Sequence, residues 1–146
     1  MKKFVFVFLL LLAGACGDGG SDEEQAEDCA LCFGRAFFNL DLHQAAELCT
    51  QDSQHWINFM ATNLTQADLD LIDASGISVL VRKVTLTSDS TAEATVDVSH
   101  FMKWHGLEQP ATIENDGEFR LDLVKRQGKW LVRMAGLPQN EMRNRD

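Results

Sequence analysis

The chain has 146 residues, 45% of them hydrophobic, which suits one globular domain with a short appendage and excludes a disordered chain. Its 13 basic and 22 acidic residues give a formal net charge of −9. Phosphate backbones repel such a chain, so nucleic acid is excluded as a partner, while a cationic ligand and simple solubility account for the acidity equally well.

Lys2 and Lys3 make a basic start, Phe4 to Leu12 is an unbroken apolar run, and Ala13-Gly14-Ala15 places small residues before Cys16. The run is too short to span a bilayer but has the length of a signal-peptide core. The Ala-Gly-Ala-Cys ending resembles the lipobox of bacterial lipoproteins, with Ala13 where leucine is commoner. In that family the signal is cut just before the cysteine, whose sulfur then carries diacylglycerol. The resemblance implies a signal peptide over residues 1–15, lipidation of Cys16 and membrane attachment through that lipid. The alternative is an ordinary signal peptide cut nearby, with Cys16 free. Buried acyl chains contribute about 0.8 kcal/mol per CH₂, so two or three hold a small domain firmly. Loss of Lys2 and Lys3 with the signal leaves 11 basic against 22 acidic residues, a mature charge near −11. The expected location is the bacterial cell envelope, at the outer membrane, with surface exposure as a further option.

Residues 16–28, with three glycines and then Ser21-Asp22-Glu23-Glu24, have no apolar period and read as an acidic flexible tether. Ser21 to Glu24 also resembles the acidic surface-export signals of Bacteroidetes-type lipoproteins; the plainer reading is a charged linker. Helical period begins at Cys29. Ala26, Cys29, Ala30, Phe33, Ala36, Phe37 and Leu40 fall on one stripe. Asn39-Leu40-Asp41 breaks it, and Asp41 is placed to cap a second helix with Gln44 closing a capping box. Leu42, Ala45, Ala46 and Cys49 form that helix's apolar stripe. After a break at Thr50–Ser53, Trp56, Phe59 and Met60 share one face of a third helical stretch. Thr65 and Asp68 form the clearest capping box, with Leu64 and Leu69 as a hydrophobic staple and Gly76 as the stop.

From Ile77 the period is two. Ile77, Val79 and Val81 are out of phase with Val84 and Leu86, so a β-bulge near Arg82-Lys83 is needed to bring all five to one face. Thr91 to Trp104 is a long strand. Ala92, Ala94, Val96, Val98, His100, Met102 and Trp104 share one face, and Phe101 is the one residue out of pattern. At about 3.3 Å per residue it is too long to run straight in a domain of this size and must bend. His105 to Gly117 reads mostly as loop. A two-residue Gln127-Gly128 turn pairs Leu123 with Val132, Leu121 with Met134 and Asp122 with Arg133. The domain is expected over residues 29–138, with 139–146 a polar tail.

Helices followed by antiparallel strands make an α+β fold, its helices packed on one side of a strongly curved sheet of about four strands. The run Phe37 to Thr50, FFNLDLHQAAELCT, is similar to the opening of domains with the nuclear transport factor 2 (NTF2-like) fold, a cone formed by helices and a bent sheet. Lys125 to Val132, KRQGKWLV, resembles their final hairpin. Small bacterial lipoproteins of unknown function share this layout. A departure is Leu40-Asp41, where the family more often has Gly-Asp.

Three cysteines follow Cys16. Cys29-x-x-Cys32 has a redox or zinc spacing, but thioredoxin chemistry needs a βαβ context that is missing, and zinc needs four ligands, with only His43 near enough in sequence to complete the set. A structural disulfide between the first two helices fits an extracytoplasmic chain: hairpin spacing favours Cys32–Cys49, and the apolar stripe favours Cys29–Cys49. His100 is the one titratable residue on the covered strand face. Enzymes of the resembled fold place Asp, His and Tyr in the cone; this chain has no tyrosine, and no carboxylate lies in phase with His100. Phe33, Phe37, Trp56, Val98, His100, Met102 and Trp104 are the expected pocket lining, with Phe119 and Trp130 as further aromatics for core or pocket. His55 and His105 make no metal set, and no metal or cofactor is expected. The reading is a non-enzymatic envelope domain binding a small molecule or protein partner. The alternatives are an isomerase-, dehydratase- or hydrolase-type enzyme using His100, and a structural module dimerising through its sheet at Phe101 and Val124.

Overall fold

A computed structural model describes residues 20–106 and 108–142; the expected signal peptide and Cys16 lie outside them. Helices α1 (Asp22–Phe38), α2 (Leu42–Glu47), α3 (Gln54–Asn63) and α4 (Gln66–Ser75) precede strands β1 (Ser78–Leu86), β2 (Thr91–Lys103), β3 (Thr112–Arg126) and β4 (Lys129–Arg133). The strands form one antiparallel, unclosed sheet in the order β1-β2-β3-β4, and α1 lies across it. This is the α+β architecture expected from the sequence.

α1 begins at Asp22, so residues 22–28 belong to the domain and not to a flexible tether. Ser21 caps the helix by accepting from Glu24 N at 3.3 Å, and Asp22, Glu23 and Glu24 occupy the first turn, where the helix dipole favours negative charge. Asp22 also has distant partners. Lys125 Nζ donates to its Oδ1 at 2.8 Å and Trp130 Nε1 at 3.3 Å, tying the helix start to the closing hairpin. The Lys125 hydrogen bond, seconded by Trp130, holds the Asp22 carboxyl below its ordinary value of 3.8. The anion is therefore the form that the fold favours. That stabilisation is present above pH 3.8 and is lost as pH falls through the lowered folded value. Asp22→Asn is expected to lower the urea midpoint near neutral pH and to flatten its fall on acidification. Parallel acid profiles of the two proteins would sink this account.

The α1 stripe is buried as its period requires: Ala26, Ala30 and Phe33 are fully covered, and Cys29, Ala36 and Phe37 nearly so. Leu40 takes φ +62, the left-handed conformation for which the resembled domains more often use glycine. A non-glycine residue there costs roughly 1 kcal/mol, which Leu40 offsets by packing against the core. Asp41 accepts from Gln44 N at 3.4 Å, while its own N donates to Ala36 O at 2.9 Å in place of the second half of the box.

The break after α2 has a structural role. Thr50 and Ser53 are almost wholly buried, their hydroxyls 2.6 Å apart, and Ser53 Oγ accepts from Met134 N at 2.7 Å. Thr50 N donates to Val132 O and Val132 N to Leu48 O, each at 2.9 Å. This latch ends β4 at Arg133, so the expected Leu121–Met134 pair does not form. It also fixes the direction in which α3 leaves. Ile57 and Met60 become that helix's buried positions, and Phe59 is 48% exposed, not inward as its spacing implied. α4 matches expectation, with both halves of the Thr65–Asp68 box formed at 3.2 and 3.0 Å and Gly76 at φ +68. Leu64 packs on the core, but Leu69 is 36% exposed.

The β1–β2 register shifts between Val81 and Lys83, where the out-of-phase valines demanded a bulge. Val79, Val81 and Val84 all reach the core, while Leu86 at the strand end stays 41% exposed. The bulged Arg82 turns to the other face. It meets Asp97 at 2.8 Å and Glu118 at 3.3 Å, two acids directly opposed across β2 and β3 that would repel each other without it. In β2 the alternation holds from Ala92 to Val98 and then reverses. His100 has φ +60 and is exposed, and Phe101 takes the inner face. The histidine expected in the cone is outside it, and the residue that broke the pattern marks where. Thr112 to Gly117, expected as loop, is strand: it pairs with Val98–Lys103. Phe101 and Val124, considered for a dimer contact, are 5% and 9% exposed and so are covered within the chain. In the last hairpin Gln127 and Gly128 have φ +54 and +77, the double positive of a type I′ turn, and the pairs Leu123–Val132 and Asp122–Arg133 form as the turn predicts.

Candidate functional site

A cavity of about 400 Å³ opens between the end of α1, the late half of β2 and the early half of β3. Its apolar wall is a run of aromatic rings. Phe37 and Phe38 come from the last turn of α1, Phe101 from the point where β2 reverses its faces, and Phe119 from β3. Phe38 is the hub: its centroid lies 4.6 Å from Phe119, 5.2 Å from Phe37 and 6.4 Å from Phe101. Phe101 and Phe119 meet edge to face at 5.1 Å. Edge and tilted contacts of this kind hold rings in place beyond the gain from burial alone.

The rest of the lining follows from the same folding events. Leu40 and Met60 enter from the α1–α2 turn and α3, and Met102 and Trp104 from the end of β2. The polar groups are Lys103, Glu114, Gln139 and Asn140. Lys103 Nζ and Glu114 Oε1 are 3.7 Å apart, with side chains 22% and 39% exposed. That exceeds the 2.7–2.9 Å of a charge-assisted hydrogen bond, so the two attract as ions without a direct hydrogen bond between them. Leu137 to Asn140 form the remaining wall. Asn140 Oδ1 accepts from Glu118 N and from Met142 N, each at 3.1 Å, which pins this segment against β3. The domain therefore extends past residue 138, and Gln139 and Asn140 belong to the site and not to a polar tail.

Of the residues expected to line a pocket, Phe37, Met102 and Trp104 do so. Phe33 and Val98 are sealed in the core, Trp56 is half-buried against it, and His100 faces solvent. No carboxylate pairs with His100 among the described residues, so it is not the acid–base centre of this cavity. Sequence reasoning missed Phe38, Leu40 and Met60 as lining residues, and Lys103 and Glu114 altogether. Phe101 had a signal, its break of the alternation. The ion pair had none, because it depends on the pairing of a segment that reads as loop.

The other chemistry-bearing residues do not gather. His105 Nε2 lies 2.6 Å from Thr112 Oγ1, and the His55 ring lies tilted against Trp56 with centroids 4.7 Å apart. Among the described residues no three His, Cys, Asp or Glu side chains converge on a metal position. Cys29 and Cys49 are free, buried thiols, so neither expected bridge, Cys32–Cys49 or Cys29–Cys49, is formed. Cys32 is disulfide-bonded. The Cys49 thiol is engaged locally instead: it donates to Ala46 O at 3.5 Å and accepts from Gln54 Nε2 at 3.3 Å. Burial pushes the Cys29 thiol up to about 12 and raises Cys49 as well. Thiolate is the reactive form, so both are expected to resist iodoacetamide in the native protein and to react after unfolding. Modification at similar rates in both states, read by mass spectrometry, would contradict the burial.

The fold is that of the NTF2-like proteins. A ketosteroid isomerase-like protein from Erwinia carotovora atroseptica superposes with a TM-score of 0.56 at 14% identity, over 79% of this chain and 94% of that one. An NTF2-like protein from Campylobacter jejuni gives 0.51 at 16% identity, over 78% and 99%. Identities this low establish architecture alone. No protein-family model matches the chain, and no curated protein sequence matches it. Among the described residues no helix is long and apolar enough to cross a membrane.

Proposed function

We propose that the chain is a lipid-anchored protein of the bacterial cell envelope whose NTF2-like domain binds a small apolar molecule without transforming it. The observation that carries the binding half is the cavity: about 400 Å³, walled by four phenylalanines and a tryptophan, with few polar groups in its lining. That combination of size, apolar walls and sparse polar groups is the common form of a small-molecule site. The enzymatic alternative rested on His100, which stands outside this cavity.

The anchoring half rests on the sequence from Lys2 to Cys16. Mass spectrometry of the mature chain is expected to show an N-terminal Cys16 carrying lipid mass. Cys16 recovered inside a longer chain, unmodified or joined to Cys32, overturns the anchor. For the cavity, the neutral fluorophore N-phenyl-1-naphthylamine is expected to brighten on binding the full-length protein. Leu137→Trp and Met60→Trp, which fill the space from two different elements, are each expected to weaken that binding about tenfold. Fluorescence unaffected by both variants would place the probe elsewhere and remove the ligand-binding reading.

A further inference from the structure

Most of the cavity lining stands in helices or paired strands, where backbone hydrogen bonds recur along the chain. Leu137 to Asn140 does not. None of residues 135–142 is buried. Among the described residues, one hydrogen bond joins them to the rest of the fold, from Glu118 N to Asn140 Oδ1 at 3.1 Å. The segment is fixed firmly at its start: Met134 is 7% exposed, and its N donates at 2.7 Å to Ser53 Oγ, which is wholly buried. Gly136 follows two residues later, with nothing within 4 Å of where a Cβ would stand, so the backbone can turn there without meeting a neighbour. Pro138 stiffens the stretch beyond, because its ring locks its own φ and restricts Leu137. A fixed end, a free joint and a stiff arm closed by a single clasp thus lie along one wall of the cavity.

We propose that residues 135–140 form a strap that gates the cavity, swinging about Gly136 when Asn140 releases Glu118 N and closing over the ligand when the bond is remade. Leu137 packs against the core in the closed position, so closure covers apolar surface as well as restoring the clasp. One neutral hydrogen bond is a weak tie, because water satisfies both groups once they part. Segments with few buried contacts and few hydrogen bonds are the first to open locally. The gate rests on the cavity being a ligand site, and it adds how that site is entered and left.

Stopped-flow fluorescence of N-phenyl-1-naphthylamine with the full-length protein tests it, with Asn140→Ala and Asn140→Leu as variants. Both remove the acceptor, and leucine keeps the bulk of the wall. Each is expected to speed association and dissociation alike, about fivefold, with little change in affinity. Any pattern in which association does not rise overturns the strap, while binding of the fluorophore leaves the cavity a ligand site. A rise produced by alanine and not by leucine overturns it too, since lost bulk then explains the effect. If the fluorophore does not bind, both readings fall together. Should neither variant fold, amide exchange in the unaltered protein decides. Read by NMR, the Glu118 amide is expected to exchange at least about tenfold faster than the Met134 amide, which the buried Ser53 holds. Equal protection of the two amides overturns the strap.

Discussion

Phe38→Ala is expected to destabilise the protein by about 3 kcal/mol, at the lower end of the roughly 3–5 kcal/mol typical of a buried phenylalanine cut to alanine. Phe38 is 7% exposed and touches three other rings, so its removal deletes the hub of the aromatic wall. The cost stays at the low end because the ring already borders a cavity, so part of its surface has no protein partner to lose. Against a total stability of about 5–15 kcal/mol, that loss leaves a marginal domain. Binding of N-phenyl-1-naphthylamine should weaken as well. Phe33→Ala is the matching control: Phe33 is fully buried but does not line the cavity, so stability should fall without a direct loss of the site. Urea denaturation gives the first quantity and probe titration the second. A loss under about 1 kcal/mol for Phe38→Ala would mean that the ring wall does not hold the domain together.

Gly117→Val should cost about 1–3 kcal/mol, although the position lies in a strand and valine is a strand-forming residue. The reason is space, not backbone conformation, since Gly117 does not have a positive φ. A Cβ there would stand 2.6 Å from Phe101 Cε1 and 2.9 Å from Phe119 Cε2. Both rings are themselves buried and packed on Phe38, so neither can yield without disturbing the others. Replacing glycine where there is room usually stabilises by about 0.4–1 kcal/mol through the unfolded chain, so even the sign of the effect is diagnostic. Thermal melts of Gly117→Ala and Gly117→Val should show a graded loss. A gain for either would show that the rings swing aside freely.

The two substitutions probe the place where sequence reading was least complete. The run from His105 to Gly117 reads as loop because glycine, proline, asparagine and aspartate crowd it. Yet Thr112 to Gly117 pairs with the end of β2. Turn-forming residues are tolerated there because Val98–Lys103 supplies the ladder, and Gly117 is needed for ring clearance. With that pairing unknown, Lys103 and Glu114 could not be placed as diagonal neighbours on adjacent strands. The cysteines illustrate the same limit: helical stripe and hairpin spacing each supported a bridge to Cys49, but both Cys29 and Cys49 turn into the core as thiols.

Sequence alone determined what short-range physics controls. Hydrophobic period placed the helices and strands, the Thr65–Asp68 box and Gly76 bounded α4, the out-of-phase valines located the β1 bulge, and Gln127-Gly128 set the last hairpin's register. Those features depend on residues close in the chain, or on an alternation that survives any packing. Tertiary structure decided the rest. Asp22 became part of a helix because Lys125 and Trp130 reach it from the far end of the chain. Thr50 and Ser53 became a buried latch because Val132 and Met134 supply their partners. His100 left the cavity because β2 reverses its faces there and Phe101 takes the inner position. A cavity is the space that packed elements fail to fill, so its lining is fixed only when all of them have met.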